Sequence, residues 1–499
     1  MRIAVLGTGS SSIAFVVRLL EDSNSSPAES VSIDVVDFGS LKQTDHRYRA
    51  PGVAGKPMAQ RPDALYVPPI FNTVSHLDGE VAGSSSFGGW SNIWGATIEK
   101  YPDSHLRLWE DERADLNDSY NFLEKRFVHF DKNETEDSDI NKIIVRILPH
   151  YLAEPKAVDT LVERFQQKPS SLAIRKFSTS QIVGCNQCGL CLEGCPGNHI
   201  WSSSLEWNSV FERDNVKLID NVWIERVTET DKSVMLTIVS PSGDRSHTFY
   251  DRIFIGLGAL QTAALMLRSG LSRTEEVRVK DSQMSLVPLI RRNFCRTGDG
   301  NPRVGFADGF ISVTNRRGNV GPSEFFAQIY CYSNSMQTQF EREFLLLRLI
   351  PRKFLAWLLK RFAVAMCFFD QDLSGEISIT VLEDKVTIQA NEKVKLSSPS
   401  PKFLKKSFRF SDFKPIPFFT KASAVGLGYH FGASFPMSFQ RCLQTNSSDS
   451  FGRPNGLLRT HIIDSSVLPR ISAFPITFTT MANAVRIASH FQEFKDMEL

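Results

Sequence analysis

Apolar runs of strand length mark both ends of the chain. Met1-Arg-Ile-Ala-Val-Leu6 is the first, Ile13 to Leu20 reads as a helix, and Val31 to Val36 is a second strand-like run. Asp111 to Lys168 is charged and helical in pattern. Val216 to Ile219, Val222 to Val227 and Ser233 to Val239 read as strands, and a turn at Pro241-Ser-Gly-Asp244 separates them from Thr248 to Phe254. Arg252-Ile-Phe-Ile-Gly256-Leu-Gly258-Ala259 closes a strand on a glycine turn, and a helix over Leu260 to Ser269 follows with Gly270 as its C-cap. From Val277 to Thr420 the character changes. Alternating runs at Arg303 to Thr314, Phe325 to Tyr332 and Ile377 to Gln389 predict antiparallel strands, the last a hairpin around Glu383-Asp384-Lys385. The tail returns to an apolar run, Leu458 to Ile463, then a loop, then a helix from Thr479 to Phe491.

Bulk properties narrow the field. At 499 residues the chain exceeds one ordinary core, so two or more domains are expected. Composition is globular, 42% hydrophobic and 22% charged, with 37 Phe as its one excess. A net charge of +2 leaves no nucleic-acid footprint. The first strand begins at residue 1, which predicts no signal peptide, and no apolar stretch reaches the length of a membrane span. Of eight cysteines, four are clustered and Cys295, Cys331, Cys367 and Cys442 are scattered, a usage that fits a reducing cytoplasmic setting.

Two motifs carry chemistry. Cys185-Asn-Gln-Cys188-Gly-Leu-Cys191-Leu-Glu-Gly-Cys195-Pro196 reads C-x2-C-x2-C-x3-C-P, the ferredoxin spacing that lets successive thiolates converge on one iron–sulfur cluster. Structural zinc usually takes two pairs well separated in sequence, so zinc and an unmetallated run are the alternatives. The other motif is Gly7-Thr-Gly9-Ser-Ser-Ser12 between the first strand and helix, with Asp37-Phe38-Gly39 ending the second strand. Gly7 allows a tight turn, Gly9 a close approach to a pyrophosphate, and Asp37 an acceptor for ribose hydroxyls. Ser12 stands where glycine or alanine is usual, which predicts looser strand–helix packing. Phe87-Gly88-Gly89-Trp90-Ser91-Asn92-Ile93-Trp94-Gly95-Ala96 is a loop whose glycine pair suits close contact with a cofactor, a surface turn being the alternative.

In this order the pieces resemble the glucose–methanol–choline (GMC) oxidoreductases, FAD enzymes that oxidise alcohols and sugars. The glycine loop and Asp37 correspond to that family's ADP site, and Gly88, Gly89, Ser91, Trp94 and Gly95 to its flavin-contacting loop. Gly256 to Thr262 resembles its second signature, including Gly258, while Asp464 to Pro469 with Thr477 to Met481 resembles its C-terminal flavin segment. The resemblance adds Val222 to the cofactor residues and makes His430, in Gly428-Tyr-His430-Phe-Gly-Ala-Ser-Phe-Pro-Met437, the catalytic base. Cys185, Cys191 and Cys195-Pro196 are similar to the cluster ligands of the family's sugar and polyol dehydrogenase branch; with Cys188 as a fourth ligand [4Fe–4S] is open beside [3Fe–4S]. One departure stands out: Pro475 occupies the place of a second histidine or asparagine that would hydrogen-bond the substrate hydroxyl.

The implied fold is α/β plus α+β: a discontinuous Rossmann-like FAD domain with a second, antiparallel-sheet substrate domain. The expected division is 1–110, 171–275 and 425–499 for FAD, 276–424 for substrate, and 111–170 as a helical segment. The implied function is FAD-dependent dehydrogenation of an alcohol or sugar, with electrons leaving through the cluster to a ferredoxin- or cytochrome-like acceptor. A ferredoxin-driven reductase and a non-catalytic, zinc-stabilised protein are the competing readings. Residues 344–362 are apolar with basic punctuation, and six Lys/Arg against two Glu between 341 and 361 give +4. Three readings stay open there: a helix packed on its domain, a peripheral membrane contact, and a docking surface for an electron partner.

Overall fold

The structure, a computed structural model, describes residues 1–25, 31–41, 84, 86–95, 97–126, 201–291, 309–313, 325–331, 349–351, 353–355, 361–382, 385–391, 404–405, 408, 413–438 and 445–496. Its centre is a five-stranded parallel sheet in the order β18 (Thr460–Ile462), β7 (Arg252–Ile255), β1 (Arg2–Leu6), β2 (Ser32–Val36), β3 (Val216–Ile219). Side chains in a strand alternate between faces, and here both faces are covered. Ile3 and Val5 enter one apolar cluster and Ala4 and Leu6 the other, which explains why β1 reads as a continuous apolar run.

On the first face lie α1 (Ser10–Ser25), α3 (Arg113–Arg126) and α6 (Thr477–Ser489), whose apolar sides merge with the sheet. Phe15 of α1 packs on Phe254 of β7 at 4.4 Å between ring centroids, and Phe254 also meets Phe491 of the terminal helix α7 (Phe491–Asp496). Short α2 (Asp103–Leu106) and α4 (Ser203–Val210) complete this side. The opposite face is covered by α5 (Ala259–Arg268) and a three-stranded sheet of β4 (Trp223–Glu229), β5 (Val234–Val239) and β6 (Arg245–Tyr250). Helix α5 ends as its sequence predicts. Gly270, at φ 68°, donates to the Leu267 carbonyl and Leu271 to that of Met266, closing a Schellman motif.

Two expectations need correction. Thr248 to Phe254 is two strands: the chain leaves the antiparallel β4–β6 sheet and enters the parallel sheet at Asp251, whose N–H donates to the Arg2 carbonyl and whose carboxylate accepts the Arg2 N–H. Strand-forming residues on both sides of Asp251-Arg252 hid the change of partner. Residues 276–424 also build two antiparallel sheets. β8 (Glu276–Asp281), β13 (Glu376–Leu382), β14 (Lys385–Asn391) and β17 (Phe431–Gly432) form one, which shares its core with α5. β9 (Met284–Arg291), β10 (Gly309–Val313), β11 (Phe325–Cys331), β12 (Phe362–Phe369), β15 (Phe413–Pro415) and β16 (Lys421–Ala422) form the other. On its outer side β9, β11 and β12 bury Val287, Leu289, Ala327, Ile329, Ala365 and Cys367 in a core of their own. Alternate residues, among them Met284, Phe326, Tyr330 and Phe368, turn inward to the main core.

Phe15 is fully buried where α1 meets β7. Phe15→Ala is expected to lower stability by about 3–5 kcal/mol, the usual cost of deleting a buried aromatic ring, read as a shift in the denaturant midpoint at unchanged slope.

Candidate active site

All five parallel strands end at one edge, and the predicted residues collect there. Gly7 follows β1, Asp37 follows β2, Val222 lies just beyond β3, Gly256 to Gly258 follow β7, and Asp464 follows β18. Gly7 has φ 93°, and a Cβ on it would stand 2.5 Å from the Gly256 carbonyl oxygen, so both conformation and space exclude any side chain. Ser12 does not loosen this junction. It is fully buried, its hydroxyl donates to the Gly256 carbonyl, and the absence of a side chain at 256 supplies the room.

The glycine loop sits directly on this edge. Gly88 N–H donates to the Thr8 hydroxyl at 2.8 Å, and the Thr8 hydroxyl donates to Asp37 at 2.7 Å. Among the described residues, a Cβ at Gly9 would meet nothing nearer than 4.0 Å, one at Gly89 nothing nearer than Gly9 Cα at 3.8 Å, and one at Gly258 nothing within 4 Å. The result is a gap walled by bare backbone at the N-terminus of α1, whose unpaired N–H groups and dipole favour an anion. Asp37 is buried, accepts from Thr8 and from the Gly39 N–H, and its carbonyl accepts the Val222 N–H. Burial, only partly offset by those hydrogen bonds, pushes its carboxyl up to about 7.

Asp464 closes the other side. Its carboxylate accepts from Gly258 N–H, the Thr262 hydroxyl and Ser466 N–H, fixing the C-terminal segment on the start of α5. Residues 431–437 run beside 465–467: Ala433, Phe435 and Met437 donate to the carbonyls of Ser465, Ser466 and Val467. This places His430 one residue from the strap that Asp464 holds. The imidazole stacks on Phe368 at 4.7 Å, its Nδ1 has no partner among the described residues, and burial pulls it down to about 4, so it is neutral at ordinary pH. Neighbouring Tyr429, at φ 59°, meets Trp90 of the glycine loop at 5.6 Å. Thr477 opens α6 after buried Pro475, and Gly95 ends the loop's described part, Ala96 lying beyond it.

Cys185, Cys188, Cys191 and Cys195 lie outside the described residues, as does most of 344–362. The chain re-enters at Trp201, which is anchored to the loop. Trp94 Nε1 donates to the Trp201 carbonyl at 2.9 Å, Ser203 shares hydrogen bonds with Ser91 and Gly88, Ser204 donates to Asn92, and Trp207 Nε1 donates to the Thr8 carbonyl.

Two groups of site residues escaped sequence reading. Buried Asp281, at the end of β8, accepts the Gly426 N–H and holds the turn leading to His430. Its carboxyl is pushed up to about 7 by burial. An acid closing an alternating strand ordinarily marks a solvated turn, so nothing in the pattern singles it out. The second group is Asp370, just after β12, which accepts from Arg470 and lies 3.0 Å from His105 Nε2. Gln371 exchanges hydrogen bonds with Ile471, so this cluster ties the 470–475 segment to the six-stranded sheet. These partners are 265 and 100 residues from Asp370 in sequence, beyond any local motif.

Residues 80–297 match the family model described as GMC oxidoreductase. The solved structure of pyridoxine 4-oxidase from Mesorbium loti is 14% identical with a TM-score of 0.60, over 99% of both chains. A formate oxidase from Aspergillus oryzae is 13% identical with a TM-score of 0.64, over 100% of this chain and 99% of that one. The chain has the GMC oxidoreductase fold. A fungal aryl-alcohol oxidase shares it at 13% identity and a TM-score of 0.56, over 99% of each chain. No curated protein sequence matches. Against the GMC fold the edge described above is where the family resemblance of the sequence motifs and the geometry meet.

Burial raises the Asp370 carboxyl, but hydrogen bonds from His105 and Arg470 outweigh it and hold the group below its ordinary value. Its contribution to stability is therefore full above the ordinary carboxylate range, near pH 4, and lost as pH falls through the lowered value. Asp370→Asn should cost about 1.5–3 kcal/mol at pH 7, the worth of a charge-assisted hydrogen bond, since among the described residues Arg470 then keeps only Asp372 as its carboxylate partner, and the difference from wild type should shrink in acid. Denaturant melts across pH 3 to 7 (about the carboxylate window) check it; a pH-independent difference contradicts it.

Proposed function

We propose that the chain is an FAD-dependent oxidoreductase that removes hydride from a CH–OH carbon of a small alcohol or sugar. The observation that carries this reading is convergence: the glycine gap, buried Asp37, the Asp464 strap and the His430 turn share one edge of the parallel sheet. The family match and the three structural relatives, two of them named as oxidases of pyridoxine and aryl alcohols, support it. FAD fits these residues. The gap between Gly7–Gly9 and Gly89 suits a pyrophosphate, Asp37 the ribose hydroxyls, and the Gly88–Gly95 loop with Gly258, Asp464 and Thr477 the remainder. When bound, FAD supplies the two-electron acceptor.

The chain's own part is proton handling and exclusion of water. Hydride departs readily only when the hydroxyl proton leaves too, and a neutral imidazole at His430 accepts it. Phe368 stacks on the ring, and Phe326 packs on Phe474 at 4.8 Å, so the inward face of the six-stranded sheet keeps this region apolar. Pro475 cannot hydrogen-bond the substrate hydroxyl, so in this reading the proton goes to His430.

We further infer that the cysteine run is an electron exit. Its spacing suits an iron–sulfur cluster, which supplies one-electron transfer when present. Covalent reach supports a location near the loop: five residues separate Cys195 from Trp201, a span of at most about 22 Å when fully extended. A ferredoxin- or cytochrome-like acceptor would take the electrons.

Three variants test this. Above about pH 8, where a carboxyl held near 7 is ionised, Asp37→Ala removes a charged hydrogen-bond acceptor, worth about 1.5–3 kcal/mol, and should lose FAD on dialysis; full retention of flavin contradicts the site. His430→Ala should slow anaerobic flavin reduction by about 10²- to 10⁴-fold. Because the imidazole titrates near 4, the base-dependent limb of that step should fall off near pH 4 and stay flat through pH 6.5. Cys191→Ser should leave flavin reduction intact and abolish transfer to a one-electron acceptor. If turnover with that acceptor is unchanged, the cysteines are a structural staple.

A further inference from the structure

The surface beyond β9 differs from the rest of the protein. β15 and β16 both pair with β9, and between them Pro417–Phe419 forms a single tight turn on the sheet edge. Its backbone is fixed at both ends: Ile416 donates to the Pro288 carbonyl, and Phe419 to the Ile416 carbonyl. Pro415 and Pro417 stiffen it further. On this rigid turn Phe418 is 90% exposed and Phe419 56%, their rings edge to face at 5.2 Å. Lys414 and Lys421, both exposed, flank them. Two adjacent bare phenyl rings held in a stiff turn are costly in water, and nothing among the described residues covers them.

The same composition recurs where the chain enters β12. Phe362 pairs with Ile290, and Ile290 pairs on its other side with Lys414, so the two segments reach the same end of the sheet. Before β12, Leu349 is 81% exposed and Phe354 54%, with exposed Lys353 between them. The sequence around the rings is basic. Residues 402–421 hold six Lys/Arg and one Asp, and 341–361 six Lys/Arg and two Glu, giving +5 and +4 in a chain of +2; the remainder carries −7. Cations and bare apolar rings together, on a protein otherwise acidic, match an anionic bilayer interface. The cations meet the headgroups and the rings enter the acyl boundary. An acidic protein surface would call for the cations but not for rings projecting singly from a turn.

We propose that this end of the six-stranded sheet docks on an anionic lipid bilayer, with Phe418 and Phe419 as the inserted wedge and Lys414, Lys421 and Lys353 as its headgroup contacts. The contact is interfacial: among the described residues no helix is long and apolar enough to cross a membrane. It does not depend on the flavin reading. The site lies on the sheet's edge, so its variants leave the glycine gap and His430 untouched.

Flotation of the full-length protein with extruded vesicles tests it. The protein should float with phosphatidylglycerol-containing vesicles at low salt, release in high salt, and stay behind with pure phosphatidylcholine. Phe418→Ser/Phe419→Ser should weaken binding at least about tenfold, from loss of buried apolar surface, with an unchanged melting temperature. Lys414→Glu/Lys421→Glu should do the same by charge and serves should the first variant fold poorly. Failure of the wild type to float with anionic vesicles overturns the proposal. So does salt-sensitive retention on a polyglutamate resin that is indifferent to Phe418→Ser/Phe419→Ser and unaccompanied by flotation, which would assign the face to an acidic protein instead.

Discussion

The approach of two glycine turns sets the geometry of everything else. Where β1 and β7 end side by side, Gly7 leaves the strand in a left-handed conformation within van der Waals contact of Gly256. Any Cβ at either residue collides, at position 7 with backbone and at position 256 with the Ser12 hydroxyl 2.2 Å away. Because the turns close so tightly, α1 starts directly above the sheet edge, and the cleft floor is backbone rather than side chains. A floor of N–H groups is what an anionic cofactor requires, and it can be built only where side chains are absent.

Onto that edge the chain adds straps from distant sequence. Residues 201–207 hold the 87–94 loop against Thr8, and 431–437 run alongside the segment held by Asp464. Asp37, Asp281 and Asp464 are all buried and all accept backbone N–H groups, and burial raises each. Such carboxylates contribute order more than net stability, since desolvation works against the charge they carry. Each fixes one turn: the loop after β2, the approach to His430, and the start of α5.

Much of this was legible because it is local. A G-x-G after a strand, an acid ending the next strand, and Gly256 to Gly258 before a helix all have meanings set by neighbours in sequence. The helix and strand spans near them agree with the structure to within a few residues, and Ala259–Arg268 with its Gly270 cap is an instance. What was not legible is pairwise and distant. The break at Asp251 depends on two different sheets taking the stretches on either side of it. The packing of Ser12 depends on position 256, and β8 takes its second neighbour, β17, from 431–432, far along the chain. Asp370 with His105 and Arg470 is an ion cluster whose members look like ordinary surface charges when read singly.

FAD in the glycine-walled cleft is tested most directly by the flavin content of the folded protein with Gly9→Val alongside it. Gly9 is not in the left-handed region, and among the described residues a Cβ there meets nothing nearer than 4.0 Å, so a valine fills the gap facing Gly89 without straining the turn. Stoichiometric FAD is expected in the unaltered chain, with a variant that keeps its helical circular dichroism but carries no flavin. A folded wild-type protein that neither carries FAD nor takes it up, or a Gly9→Val variant with undiminished flavin, would contradict it.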